Sequence, residues 1–366
     1  MLHTVLNRER LTPDDLLFLM TLSEEADLAE LYAAAYAVKA RYVGAKAYFR
    51  GLIEFSNVCD KDCYYCGIRK GNRLVERFET SRAEALALAG WAYDNGYGSV
   101  VVQAGERKAV DFSNTMADLI AGIKAIGEAP GLGITLCLGE QDDETYRKWF
   151  ERGAHRYLLR IETSSETLYK RLHPDDEAHS FKRRLDCLAA LRAIGYQVGT
   201  GVMIGLPGQT EADLVNDILF YEKMGVAMVG MGPYVVHTDT PMGQDVLRQG
   251  LDTPEERERR FTLTLKMIAA TRLYLKDINI AATTALQALY PLGREMGLKA
   301  GANILMPIIT LPAYRSRYQL YDNKPCIDDT AEQCKQCLTG RVLSAGDTVG
   351  FGEWGDSVRF LKESVL

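Results

Sequence analysis

Eight short runs rich in β-branched and aromatic residues recur along this chain, and most are followed by a helical pattern. They are KAYFRGLIEF (46–55), SVVVQAG (99–105), GITLCLGE (133–140), RYLLRIET (156–163), QVGTGVMIGL (197–206), MVGMGPYVV (228–236), INIAATTA (278–285) and ANILMP (302–307). Between them SRAEALALAGWAYDNG, DETYRKWFERGA, FKRRLDCLAALRAIGY and EADLVNDILFYEKMGV carry apolar residues at helical spacing, with stops at Gly96, Gly153, Gly195 and Gly225. Strands separated by helices pair in parallel, and eight repeats is the count of a (β/α)8 TIM-type barrel. An open doubly wound sheet is the rival. The barrel is favoured because Glu54, Gln103, Glu140, Glu162, Thr283 and Thr284 fall at the C-terminal ends of their runs, where barrel sites are built.

Two helices are predicted ahead of the first run. TPDDLLFLM opens on a Thr-Pro cap, and the helix beginning at Ser23 has Asp27 in its first turn. From Leu311 the alternation stops. The α/β reading therefore divides the chain into N-terminal helices packing on the barrel (1–44), the barrel (45–310) and a C-terminal extension carrying a second cysteine site (311–366).

A net charge of -6 offers no basic stripe for nucleic acid. Arg8, Arg10 and nearby acids break any signal-peptide core, and no run reaches the ~18 apolar residues of a membrane span. These features predict a cytoplasmic protein, and the absence of an advertised apolar face predicts a monomer.

Eight cysteines in such a chain point to metal or catalysis rather than disulfides. Cys59, Cys63 and Cys66 stand C-x3-C-x2-C in EFSNVCDKDCYYCGIRKGN, directly after the first strand. A structural zinc wants four ligands, and no fourth is close by. Three thiolates on a cubane 4Fe-4S cluster leave one iron open to a small molecule. Cys326, Cys334 and Cys337 form a C-x7-C-x2-C group, read as a possible second cluster (2Fe-2S or 4Fe-4S) near the surface, with zinc as the alternative. Cys137 and Cys187 read as small buried hydrophobes.

The first loop, with Tyr65 just before its last cysteine, resembles that of the radical S-adenosylmethionine (SAM) enzymes. QAGE, RYLLRIET, GLPGQT, MGPYVVHTDTP, AATTA and REMGLKAGANILMP follow in order and are similar to the HydE family of FeFe-hydrogenase maturases. The resemblance implies reductive cleavage of SAM to a 5′-deoxyadenosyl radical, which attacks a cysteine-bound iron–carbonyl–cyanide substrate. It implies that Tyr65, Glu106, Glu162 and Arg184 contact SAM. Gln103, Arg160, Thr283, Thr284, Tyr318 and Tyr321 are the implied substrate contacts. It further implies a low-potential electron donor and the maturases HydG and HydF as partners. Plain packing is weighed equally for the two tyrosines and preferred for Met203, and a structural hydrogen bond is preferred for His237.

Three rivals stand beside this reading. A methylornithine-synthase-like mutase acting on an amino acid shares the fold and the threonine–arginine anion site. A biotin-synthase-like sulfur inserter wants several strand thiols, where only Cys137 lies mid-strand. A cluster carrier has no need of Arg, Glu and Thr at its strand ends.

Overall fold

The structure is a computed structural model and describes residues 1–363. Its strands are β1 (Lys46–Ser56), β2 (Ser99–Ala104), β3 (Gly133–Cys137), β4 (Arg156–Leu158), β5 (Gln197–Thr200), β6 (Met203–Ile204), β7 (Met228–Val229), β8 (Gly232–Pro233), β9 (Asn279–Ile280), β10 (Ile304–Leu305) and β11 (Thr348–Val349). Their main sheet runs β10-β1-β2-β3-β4-β5-β7-β9, every pair parallel, and β11 joins β1. Helices separate successive strands, which gives a curled parallel α/β sheet. At its edges Ala281 bridges Ile304, and the amides of Ala282 and Asn303 donate to Ile304 and Ile280 at 2.9 and 2.8 Å.

Side-chain alternation explains the curl. Residues pointing outward, such as Phe49, Ile53, Val100, Val102, Ile134, Leu136 and Ile280, join the large core beneath the helices. Their neighbours Leu52, Val101, Leu158, Met228, Ala281 and Ile304 meet in two smaller apolar clusters on the inner face. Each buried aliphatic side chain contributes about 1.5–3 kcal/mol.

The predicted glycine stops hold: Gly96, Gly153, Gly195 and Gly225 have φ of 76°, 111°, 109° and 60°. Thr12 caps its helix in a reciprocal box with Asp15. Ser23 does not cap the next helix, Glu25–Tyr42, which starts from Glu24 without a side-chain bond. That helix packs on Pro254–Leu275, and its buried Lys39 pairs with Asp347 and donates to the Leu298 carbonyl at 3.1 Å.

Several strands are shorter than their sequence runs. The fifth and sixth runs each split in two because Gly201 approaches Gly230 so closely that a Cβ would lie 2.0 Å from its carbonyl oxygen. The pieces beyond, β6 and β8, pair with each other instead.

The N-terminal ends of the strands are closed by the segment 353–357. Ser99 Oγ and Arg156 Nη1 both donate to the Trp354 carbonyl at 2.8 Å. Arg50 and Asn279 donate to the Gly355 carbonyl at 3.0 and 2.9 Å, and the Ser357 amide donates to Gln197 at 3.2 Å. Arg156 also pairs with Asp356 at 2.7 Å, while burial pushes the neighbouring His155 down to about 4. Among the described residues, no helix is long and apolar enough to cross a membrane.

Candidate active site

The cysteine loop leaves β1 at the opposite, C-terminal end of the sheet. Arg77 fastens it by donating to four of its carbonyls: Asn57 at 2.6, Ile68 at 2.7, Arg69 at 2.6 and Asn72 at 3.1 Å. Asn57 and Asn72 add side-chain bonds to Glu76, Arg317 and Gly67. The Cys66 amide donates to the Cys63 carbonyl at 3.2 Å, which turns the chain so that the cysteines cluster.

Two glycines let other segments close on this loop. A Cβ at Gly105 would meet the Val58 carbonyl oxygen at 2.3 Å and Cys59 Cβ at 2.8 Å. One at Gly67 would meet the Gln319 carbonyl oxygen at 2.2 Å and the His237 ring at 2.3 Å. Burial pushes all three thiols upward, Cys66 to about 12, opposed by Arg184 at Cys63 and Arg77 at Cys66. Replacing Arg77 by Met should therefore loosen the loop, each charged hydrogen bond lost costing about 1.5–3 kcal/mol before water compensates. Anaerobic iron titration should show less than half the wild-type cluster content, whereas full loading would refute the fastening role.

Beside the thiols lies a buried belt of charge. Glu106 follows β2 and receives the Glu140 amide at 2.8 Å through Oε2. Its Oε1 makes no hydrogen bond, although Lys61 Nζ stands 3.3 Å away. Burial holds the Glu106 carboxyl above its ordinary range against the pull of Lys61. Glu140, just after β3 and wholly buried, accepts from Arg184 Nε at 2.6 Å and Lys61 at 2.9 Å. Burial alone would raise this carboxyl, but Arg184 and Lys61 bring it below its usual range. Arg184, not the more exposed Arg183, is the cation turned inward.

Arg160 and Glu162 do pair, at 3.0 Å, but not on a strand as expected: β4 ends at Leu158. Glu162 sits at φ 67°, a left-handed conformation that costs a side-chain-bearing residue about 1–3 kcal/mol. It is held there because its amide donates to Gly201 and its carbonyl accepts from Met203, at 2.9 and 3.0 Å.

Asp217 steadies the next turn, accepting from the Ser164 amide and hydroxyl at 2.6 Å each. Complete burial raises Asp217 to about 7 from 3.8. The folded state thus binds this proton more tightly than the unfolded chain, so its contribution to stability falls as pH rises from 3.8 towards 7. Asp217→Asn keeps the acceptor and should leave stability at pH 4 little changed. At pH 8 it should gain up to about 4 kcal/mol, visible in melting curves across pH. A constant difference would refute the assignment.

The remaining predicted residues gather around the inner face. Gln103, the last residue but one of β2, lies beside Tyr318, which is 1 % exposed, and Tyr321 follows from the same segment. Lys324, also from this segment, pairs with Glu54 at 2.5 Å and leaves Glu54 Oε2 without a partner. Thr283 and Thr284 are not strand-end residues; they open the helix Thr284–Leu289. Met203 and His237 take the packing and loop-bonding places expected of them: Met203 lies among Leu172, Leu206 and Tyr234, and His237 accepts from the Asp239 amide at 3.2 Å.

The second cysteine group is less superficial than its sequence suggests. Cys334 is buried on the helix Ala331–Ser344, Cys326 is half-buried against Leu52 and Val101, and Cys337 alone of the three is exposed. Cys187 is buried as expected, but Cys137 is half-buried on the inner face. Among the described residues, no three His, Cys, Asp or Glu side chains converge closely enough for a single metal ion.

Sequence reasoning missed Lys61, Arg77, Asp217 and Lys324. Each is a charged residue that no motif singles out, and only the fold shows it buried or engaged by the backbone.

Residues 53–221 match the family model of the radical SAM superfamily. The chain is 39% identical over 354 residues, 97% of its length and 96% of the relative's, to the FeFe-hydrogenase maturase subunit HydE of Thermotoga maritima. It is 28% identical to 3-methylornithine synthase of Methanosarcina acetivorans, over 82% of this chain and 80% of that one. The crystal structure of methylornithine synthase superposes with a TM-score of 0.80 at 23% identity, covering 100% of this chain and 99% of that one. That likeness speaks for the α/β fold. The identity to HydE along nearly the whole of both chains places this protein in the HydE family of radical SAM enzymes.

Proposed function

We propose that this enzyme serves FeFe-hydrogenase maturation and acts on a cysteine-bound iron–carbonyl–cyanide substrate. The observation that carries the reading is the meeting of three half-buried thiols with the belt of Glu106, Glu162 and Arg184 at one end of the sheet. Three thiols without a fourth protein donor suit a cluster that leaves one iron for SAM. A 4Fe-4S cluster with SAM bound supplies an electron that cleaves the sulfonium and releases a 5′-deoxyadenosyl radical.

The chain's own groups do the rest. Cys59, Cys63 and Cys66 would hold the cluster. Glu106 Oε1, buried and without a hydrogen bond, suits an ammonium group. Arg184, aimed by Glu140, suits a carboxylate, while Tyr65 and Glu162 line the same side. Arg160, Gln103, Thr283 and Thr284 would hold the substrate on the inner face, and Tyr318 with Tyr321 would keep water out. The Ala281–Ile304 bridge supports a complete (β/α)8 barrel between residues 45 and 310, with the N-terminal helices packed against it. Residues 311–366, of which the last three lie outside the described ones, would form the extension with an auxiliary cluster on Cys326, Cys334 and Cys337. A cytoplasmic monomer receiving electrons from a low-potential donor and working beside HydG and HydF completes the proposal.

The test is anaerobic reconstitution, reduction and addition of SAM with the synthetic iron–cysteine–dicarbonyl–cyanide complex, followed by EPR and by assay of 5′-deoxyadenosine and methionine. A new low-valent iron signal is expected, dependent on SAM and absent in Cys59→Ala. A mutase of the methylornithine type is favoured by the second relative and the shared fold. SAM cleavage without an iron product, together with isomerisation of an amino acid, would establish it instead.

A further inference from the structure

Among the described residues, the backbone between Cys59 and Cys66 is tied to other segments through three amides. Asp60 donates to the Glu106 carbonyl at 2.8 Å and Tyr64 to the Leu172 carbonyl at 2.9 Å. The third, Asp62, donates to a side chain, His179 Nε2, at 2.9 Å. His179 is 6 % exposed and closes the short turn Glu177–His179, directly ahead of the helix Phe181–Ile194 that carries Arg184. On the far side of its ring, Nδ1 meets Asp176 Oδ1 at 2.6 Å, and the same oxygen accepts the His179 amide at 3.0 Å.

These two contacts define the state of the ring. A backbone amide only donates, so Nε2 accepts; a carboxylate only accepts, so Nδ1 carries the proton. The imidazole is neutral, and Asp176 sets its tautomer. The residue before Asp62 is Lys61, whose amide is turned to the Cys59 sulfur and whose side chain bonds the Ala178 carbonyl beside His179. We infer that His179 is a positioning residue for the cysteine loop: through the Asp62 amide it fixes the backbone at 61–62, keeps the Lys61 amide on the Cys59 sulfur, and so raises the reduction potential of a cluster held there. Hydrogen bonds to ligand sulfurs favour the reduced, more negative cluster, so losing one lowers the potential. This inference rests on the reading of Cys59, Cys63 and Cys66 as cluster ligands.

The test is a redox titration of the reconstituted enzyme followed by EPR, the site being identified as the reduced-cluster signal that changes when SAM is added. At the wild-type midpoint, His179→Leu should show a reduced-to-oxidised ratio at least tenfold lower, which is 59 mV for a one-electron couple. His179→Gln, whose side-chain carbonyl accepts from the same amide, should stay within threefold of wild type. Asp176→Ala, a change at an exposed side chain, releases the tautomer and should fall between; it decides the matter if the leucine variant takes up no cluster. A ratio within twofold of wild type in His179→Leu, or in Asp176→Ala where that variant decides, would overturn the role. An equal loss in the glutamine and leucine variants would overturn it too, by showing that ring packing is responsible. Wild-type protein that takes up no reducible cluster would overturn the ligand reading and this inference together, whereas an unchanged leucine variant removes the inference alone.

Discussion

Glu140→Gln is expected to destabilise the protein by about 3–5 kcal/mol at neutral pH, the cost of leaving buried charge without its partner. One carboxylate accepts from Lys61 on the cysteine loop and Arg184 on the helix Phe181–Ile194, with Arg183 at 3.4 Å. Glutamine keeps the shape and cannot balance the two inward cations. Native stability totals only about 5–15 kcal/mol, so the loss would be conspicuous in urea unfolding. The pH dependence gives a sharper check. Because the folded carboxyl is held below 4.5, its stabilisation is present above that unfolded value and disappears as pH falls through the folded one. The gap between wild type and variant should therefore narrow in acid; a gap of equal size at pH 7.5 and pH 3 would show that packing, not charge, is responsible.

Gly105→Ala is the second large effect, and its cause is contact rather than charge. The new methyl would sit 2.3 Å from the Val58 carbonyl oxygen, and that backbone has little room to yield. The Gly105 amide is bonded to the Ser56 carbonyl and the Asp60 amide to the Glu106 carbonyl, both at 2.8 Å. Overpacking of this kind costs about 1–3 kcal/mol, and here the displaced atoms belong to Cys59 and its neighbour. Cluster content after reconstitution should fall by at least half. Gly340→Ala, where nothing lies within 4 Å of the new methyl, is the matched control. Normal loading of Gly105→Ala would mean that the loop can shift without losing the thiols.

Much of this architecture was readable in advance, because it rests on local chemistry. The helix stops needed glycine at positive φ, the Thr12 cap needed a hydroxyl followed by Asp15, and the inner and outer faces of β1 follow from simple alternation. Cys59, Cys63 and Cys66 were legible since three soft ligands crowded into one loop have few other uses. What stayed hidden depends on contacts between distant segments. Lys61 and Asp217 look like ordinary surface charges in sequence, yet the partners that hold them come from the loop after β3 and from the turn after Glu162. Lys324 reaches Glu54 across 270 positions of chain, a distance that no periodicity reports. Strand ends failed for a related reason: the close approach of Gly201 and Gly230 is a property of two strands together.

The segment 353–357 has a kinetic meaning as well as a structural one. Trp354, Gly355 and Asp356 are bonded across the N-terminal ends of β1, β2, β4 and β9 and so cap that side. On the proposed placement of SAM, a molecule lodged deep inside and shut off by that cap would have to leave past SAM. Turnover would then follow a compulsory order, with the deep reactant first in and last out. Methionine and 5′-deoxyadenosine would have to depart before the finished product could follow, so added 5′-deoxyadenosine should slow product release and not only compete with SAM.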